Sequence, residues 1–348
     1  MTMKKTHIAL AIAALAAAAG ANAATVYKND STQLDIGGRA EFRGDFIGQD
    51  NGDKIDGTMH NGSRFRINVG GETKITDSIS GIGFYEAEQD VNSSGDNSND
   101  NNGFNLRYVF AGFKTNVGDF TFGRQDTSTV MISQMSDIST YSGAQKNMIA
   151  AGDEQVNNNI QYAGNFLDND ALTVKANVIL GDKDNTNGYG VAAKYTLPMG
   201  VGFAVGYASN GIEDNAGVAY RGDTADQIIA GVSYGVTTEG LYLAATYTNG
   251  DLNDKQDFDG VEASAQYKWN NGFRVIGAYE NQEADSDTIN NWYELTGGYD
   301  FTPNLYAYVS YKLNGLDKGD ATFNDYQVSG ATLRDAEDSM RLGLLYTF

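Results

Sequence analysis

Leu34-Asp35-Ile36-Gly37-Gly38-Arg39-Ala40-Glu41-Phe42-Arg43-Gly44-Asp45-Phe46 is the stretch that decides the fold. Leu34, Ile36, Gly38, Ala40, Phe42, Gly44 and Phe46 share one parity, while Asp35, Arg39, Glu41, Arg43 and Asp45 share the other. Successive side chains of a strand point to opposite faces, so a period of two makes one apolar and one charged face. The pattern returns in Phe65, Ile67, Val69, Gly71 and Ile75 against Arg64, Arg66, Asn68, Glu72 and Lys74. In a soluble sandwich the apolar face fills a core. In a transmembrane barrel it meets lipid, and the charged face meets a watery lumen. Alternation alone leaves both readings open.

Connection lengths separate them. Sixteen candidate strands can be marked along the chain, most of about 9–12 residues, the length a tilted strand needs to cross a bilayer. Short turns fall near Thr76–Ser78, Asn116–Gly118, Leu197–Gly200, Val236–Glu239, Trp269–Asn271 and Thr302–Asn304. Long polar loops are expected near Gly48–Gly62, Gln89–Gly103, Gly211–Gly222, Gly250–Asp259, Gln282–Asn290 and Asn314–Arg334. Short turns at one rim and long loops at the other mark an outer-membrane barrel. The two prolines, Pro198 and Pro303, fall in short turns, where a missing N–H breaks no ladder. In lipid every backbone polar group must be paired internally, so a sheet survives there only when closed, and sixteen strands leave an aqueous channel. The 42 glycines suit a curving wall. Tyr27, Phe46, Phe104, Phe120, Tyr195, Trp269, Trp292 and Phe301, near strand ends, are candidates for the interfacial aromatic girdles.

The ends agree. Lys4 and Lys5, the apolar run Ile8 to Ala19, and Ala21-Asn22-Ala23 read as a signal peptide over residues 1–23, leaving residues 24–348 as the barrel domain. An apolar run of twelve residues falls short of the roughly 20 needed to cross a bilayer as a helix. The exported chain has no Cys, so backbone pairing over a large sheet must hold it together. Met340, Leu342, Leu344, Tyr346 and Phe348 form a last strand with one apolar face and a terminal aromatic, the form of a barrel insertion signal.

Residues 126–157 are unlike the other connections. Val130, Met131, Ile132, Met135, Ile138, Tyr141, Met148 and Ile149 are too large an apolar load for a solvated loop. A loop folded into the barrel, with these residues on the inner wall and its acids facing the channel, accounts for them.

Several segments resemble the Gram-negative general diffusion porins. They are Ala24-Thr25-Val26-Tyr27-Lys28-Asn29-Asp30 with Leu34 to Arg39, Arg66 with Gly71-Glu72-Thr73, Arg107 with Phe110 to Lys114, Val117 to Arg124, and Tyr346-Thr347-Phe348. The likeness runs in order over essentially the whole chain after residue 23, and Ser136-Asp137-Ile138 with the acidic character is closest to the vibrio OmpU type. The resemblance implies an all-β, sixteen-stranded antiparallel transmembrane barrel whose third loop folds inward to narrow the channel. It also implies a homotrimer in contact with outer-membrane lipid and lipopolysaccharide, inserted by the barrel assembly machinery through the strand ending at Phe348. The constriction would have Arg39, Arg66 and Arg107 as its basic side, on the lumen parity of three strands, and Asp137 with the wall carboxylate Glu86 as its acidic side. Arg43, Arg124, Asp153 and Glu154 are secondary candidates. A second loop acid of the family falls on Tyr141 here, and a further wall arginine near Gln155.

Composition limits the alternatives. With 45 acids against 24 bases and a net charge of −21, the chain lacks the clustered Lys and Arg that nucleic acid requires. Beyond residue 23 the histidine is limited to His60, which leaves a Ser–His hydrolase, a zinc site or a haem site almost without ligands. No phosphate-binding Gly-rich motif precedes a helix, and no metal or other cofactor is expected. The acid-rich run Asp96-Asn97-Ser98-Asn99-Asp100-Asn101-Asn102 completes no calcium-loop pattern. The expected function is an outer-membrane, water-filled channel for ions and small hydrophilic solutes, preferring cations. The alternative is an adhesin or receptor that uses its long outer loops.

Overall fold

The alternating segments pair as antiparallel hairpins, in chain order, around a closed sheet of sixteen long strands. These are β1 (Thr32–Ile47), β2 (Ser63–Lys74), β3 (Ile79–Val91), β4 (Asn105–Thr115), β5 (Gly118–Gln125), β6 (Val156–Phe166), β7 (Leu172–Ile179) and β8 (Gly188–Thr196). They continue as β9 (Val201–Gly211), β10 (Thr224–Val236), β11 (Glu239–Asn253), β12 (Gln256–Lys268), β13 (Phe273–Ala284), β14 (Asp287–Thr302), β15 (Leu305–Asn314) and β16 (Ser339–Thr347). The computed structural model describes residues 23–47, 59–91, 103–213, 224–253, 256–317, 321–324, 327–330 and 337–348. Apart from Ala23, the expected signal peptide lies outside the described residues, as do the Asp96–Asn102 run and most of the loops expected at 48–62, 89–103, 211–222 and 314–334.

Closure is made by β1, which pairs with β2 along one edge (Arg39 opposite Arg66) and with β16 along the other (Asp45 opposite Arg341). Among the described residues the sixteen long strands then leave no edge to lipid, where each unpaired backbone group would cost several kcal/mol. Ala24–Lys28 pairs with the first half of β1 and prolongs the line of β16. At the junction Gly38 and Phe348 exchange both backbone hydrogen bonds, at 2.9 and 3.0 Å. A Cβ at Gly38 would lie 2.8 Å from the Phe348 ring, so only glycine admits the terminal aromatic there.

The apolar parity faces outward, with Leu295 63 % and Val205 57 % exposed. Contiguous apolar exposure on this scale marks a surface made for a partner or for lipid. One row is different. Leu34, Gly71, Gly83, Ala111 and Phe122 lie opposite one another across β1–β5, so three small residues in succession leave an outer groove of about 630 Å³.

Two connections expected as long loops are strand instead. β11 and β12 run on until Asn253 pairs with Gln256, and β13 and β14 meet at Asp285-Ser286, both at positive φ. Two consecutive positive-φ residues suit the tight turns that match strand twist, and polar residues pair as well as apolar ones once clear of lipid. Trp292, expected in a girdle, is 3 % exposed because it shares the inward parity of Glu294 and Thr296.

Residues 126–155 fold inward against the wall. The short helix α1 (Val130–Ser133) buries Ile132 completely, and Ile132 and Met135 pack on Ala192, Ala204, Ile229, Tyr242 and Ala244. Met148, Ile149 and Ala151 pack farther along on Ile179, Ala208, Ala225, Leu252, Phe258, Ala284 and Ile289. Each large side chain buried in this way contributes about 1.5–3 kcal/mol, enough in sum to hold the loop to β7–β14.

Candidate functional site

Across the lumen from that loop, β1–β4 carry a compact ionic lattice. Arg39 lies 3.6 Å from Glu88, and Arg64 lies 2.5 Å from Glu41 and 3.8 Å from Glu88. Arg66 meets Glu86 at 3.3 Å and Glu88 at 2.7 Å; Arg107 meets Glu86 at 2.8 Å and Glu88 at 3.6 Å. Four guanidinium groups thus share three carboxylates. Planar guanidinium forks hold such carboxylates in fixed geometry, so the lattice is a rigid charged wall.

Arg107 reaches it by a route the alternation does not predict. It shares parity with the outward Val109 and Phe113, contrary to the expected lumen parity. The β3–β4 register slips there: Glu86 faces Tyr108 and Ala87 faces Leu106, leaving Arg107 as the extra residue of a bulge. A bulge re-aims a side chain, and here it brings the guanidinium to Glu86. Arg124 is a correction. It shares the outward parity of Phe120 and Phe122 and bonds to the Leu106 carbonyl (3.3 Å) and Asn157 (2.9 Å), so it stands apart from the lattice. Arg43 is inward and lies 3.4 Å from Asp45.

The loop carries Asp126, Asp137, Asp153 and Glu154 against Lys146 as its one basic residue. Lys146 sits between Asp137 (2.6 Å) and Glu154 (2.8 Å), and Ser142 donates to Asp137 at 2.9 Å. The acid expected to face the arginines is therefore first paired within its own loop. Tyr108 links the two sides: the Arg107 guanidinium lies 5.8 Å from its ring centre, and its hydroxyl donates to Asp126 at 2.8 Å. Among the described residues no group of three or more His, Asp or Glu is placed to hold a metal ion.

The Gram-negative porin family model matches residues 9–331. The chain belongs to that family. Outer membrane protein U of Vibrio parahaemolyticus is 33% identical, the match covering 99% of this chain and all of the relative. OmpF of Salmonella typhi, solved in complex with daunomycin, shares the fold with a TM-score of 0.77 at 20% identity, covering 93% of this chain and all of that one. OmpT of Vibrio cholerae, solved in a trimer form, gives 0.65 at 18% identity, covering 92% and all of that chain. The chain is thus a porin of the Gram-negative outer membrane, and porins are channels, not enzymes.

The porin's loop is pinned at its tip. Glu294 accepts from the backbone N–H of Thr140 and Tyr141, both at 3.0 Å, and from the hydroxyls of Ser139 (2.6 Å) and Thr140 (3.0 Å). Glu262 accepts from the Gly143 N–H at 3.1 Å. Arg341 binds Asp45 at 2.6 and 3.1 Å and also donates to the Thr140 carbonyl. Hydrogen bonds to charged groups contribute about 1.5–3 kcal/mol each, so the tip is held as firmly as the apolar segments.

Burial, with the Glu154 charge beside it, pushes the Asp153 carboxyl up to about 6. Asp126 is also raised, first by burial and then by Glu154. Burial alone would lower Lys146, but Asp137 and Glu154 outweigh it and raise the ammonium. Sequence reasoning missed Arg64, Glu41 and Glu88 as site members, although each lies on the lumen parity of its strand and was accessible by that signal. Glu294 and Arg341 also sit on the lumen parity, but their partners, like the place of Lys146, depend on where the inward loop lands.

Proposed function

We propose that this porin prefers cations, with Asp126, Asp137, Asp153 and Glu154 of the inward loop setting the sign. The observation carrying this reading is the imbalance across the lumen. The four wall arginines share Glu41, Glu86 and Glu88, leaving a formal surplus of one positive charge, while the loop carries four acids against Lys146. Charged clusters at a constriction determine which ions enter, and the whole chain's −21 attracts cations to the mouths. Arg39, Arg66 and Arg107 supply the opposing side of a transverse field, with Glu86 fixing Arg66 and Arg107 and Glu88 pairing with Arg39.

We infer further that the protein works as a homotrimer, as the OmpT form does. The small-residue groove on β1–β5 supports this, since a second copy can seat side chains there. The remaining expectations belong to the same reading: removal of residues 1–23, contact with outer-membrane lipid and lipopolysaccharide, and insertion through the strand ending at Phe348.

The test is the double variant Asp137→Asn, Glu154→Gln in planar bilayers under a salt gradient. Loss of both acids leaves Lys146 uncompensated, so the reversal potential moves toward that of chloride. An unchanged potential would remove the loop acids from the selectivity filter.

A further inference from the structure

Tyr141 occupies the position where the resemblance leads one to expect an acid, and its surroundings give it another use. Its ring centre lies 4.0 Å from the Arg341 guanidinium carbon and 5.3 Å from the Lys312 ammonium. Ser339 donates to its hydroxyl at 3.0 Å. Its backbone N–H is held by Glu294, so the ring's position is fixed by the same contacts that pin the loop. Arg341 itself is 6 % exposed, although its carboxylate partner Asp45 is shared with Arg43 at 3.4 Å. Two arginines on one aspartate leave a positive excess beside the seam where β16 meets β1. The ring covers that excess, and its negative face attracts both nearby cations.

We propose that Tyr141 is a selectivity-determining residue. Its ring, added to the Asp45 and Thr140 contacts of Arg341, draws Arg341 and Lys312 back against β15 and β16 and so keeps two cations out of the ion path. An acid at this position would achieve the same by ion pairing; the aromatic face does it without adding a charge to the loop. The inference deepens the cation-preference reading and rests on it for its setting, but it concerns a difference between variants and not the sign in the parent channel.

Three variants separate ring electrostatics from packing. Tyr141→Ala removes both, Tyr141→Leu keeps apolar bulk without the aromatic face, and Tyr141→Phe keeps the face and loses only the Ser339 contact. Each is measured by reversal potential in a salt gradient, with folding checked by heat-dependent gel mobility and continued conductance. Releasing one unit charge to about 8 Å from the ion path, screened by salt at about 0.1 M, shifts cation and anion in opposite directions and changes their permeability ratio by about two-fold, so the Ala and Leu forms lose cation preference by about that factor. Tyr141→Phe keeps the parent ratio. A Leu form that keeps the parent ratio, or a Phe form that loses as much as Ala, overturns the proposal. Because the parent channel's own potential is read in the same series, cation preference and the role of Tyr141 can fail separately.

Discussion

Asp153 is a residue of the inward loop whose charge changes within reach of ordinary buffers. Half-buried beside Glu154, it is neutral at about pH 5 and ionised at about pH 7. Ionisation adds a negative charge to the inward loop, so the ratio of cation to anion permeability rises with pH over that interval. In Asp153→Asn the rise is shallower. Reversal potentials measured at a series of pH values check this, and a ratio that falls with pH, or rises equally in both proteins, contradicts it. At this scale the sequence was readable wherever a residue obeyed plain alternation, as Arg39 and Arg66 do. Arg107 and Arg124 were not, because a one-residue bulge turns the first inward and the second keeps the outward parity of Phe120 and Phe122. Bulges depend on the partner strand's register, which no single strand's pattern records.

The inward loop is the element on which conduction depends, and glycines on the wall beneath it make its seat. A Cβ at Gly231 would come within 3.0 Å of Ile132 Cγ2 and Met135 Sδ. Gly231→Val therefore lifts α1 off β10 and into the lumen, while the barrel ladder stays intact. Single-channel conductance should fall, with unchanged yield of folded protein; equal or greater conductance would place the loop elsewhere. The apolar load of residues 126–157 signalled an unusual connection, since Val130, Ile132, Met135, Met148 and Ile149 could not remain solvated. Which wall strands receive it was not legible, because Ala192, Ala204 and Ile229 come together only when the sheet closes. The hairpins at Asn253–Gln256 and Asp285-Ser286 were hidden for a different reason. Their polar composition reads as loop, although paired strand clear of the bilayer needs no apolar face.

For the whole molecule, closure and assembly are separate problems. Closure is complete in one chain, through β1 between β2 and β16. Assembly calls for an outward surface that accepts another copy, and the groove over Gly71, Gly83 and Ala111 offers one. A Cβ at Gly83 has nothing nearer than the Phe110 carbonyl oxygen at 4.0 Å, so Gly83→Trp fills the groove without disturbing the strand. On native gels that variant should run as a monomer that still conducts; undiminished trimer would move the contact to another face. The acid surplus has a meaning at this scale too, because a chain that carries a net −21 around a water-filled lumen biases every ion that approaches it. The most direct test of the cation-selective channel is the reversal potential of the purified wild-type protein in a planar bilayer under a potassium chloride gradient. The account predicts stepwise conductance with a potential on the potassium side of zero. A potential on the chloride side would contradict it.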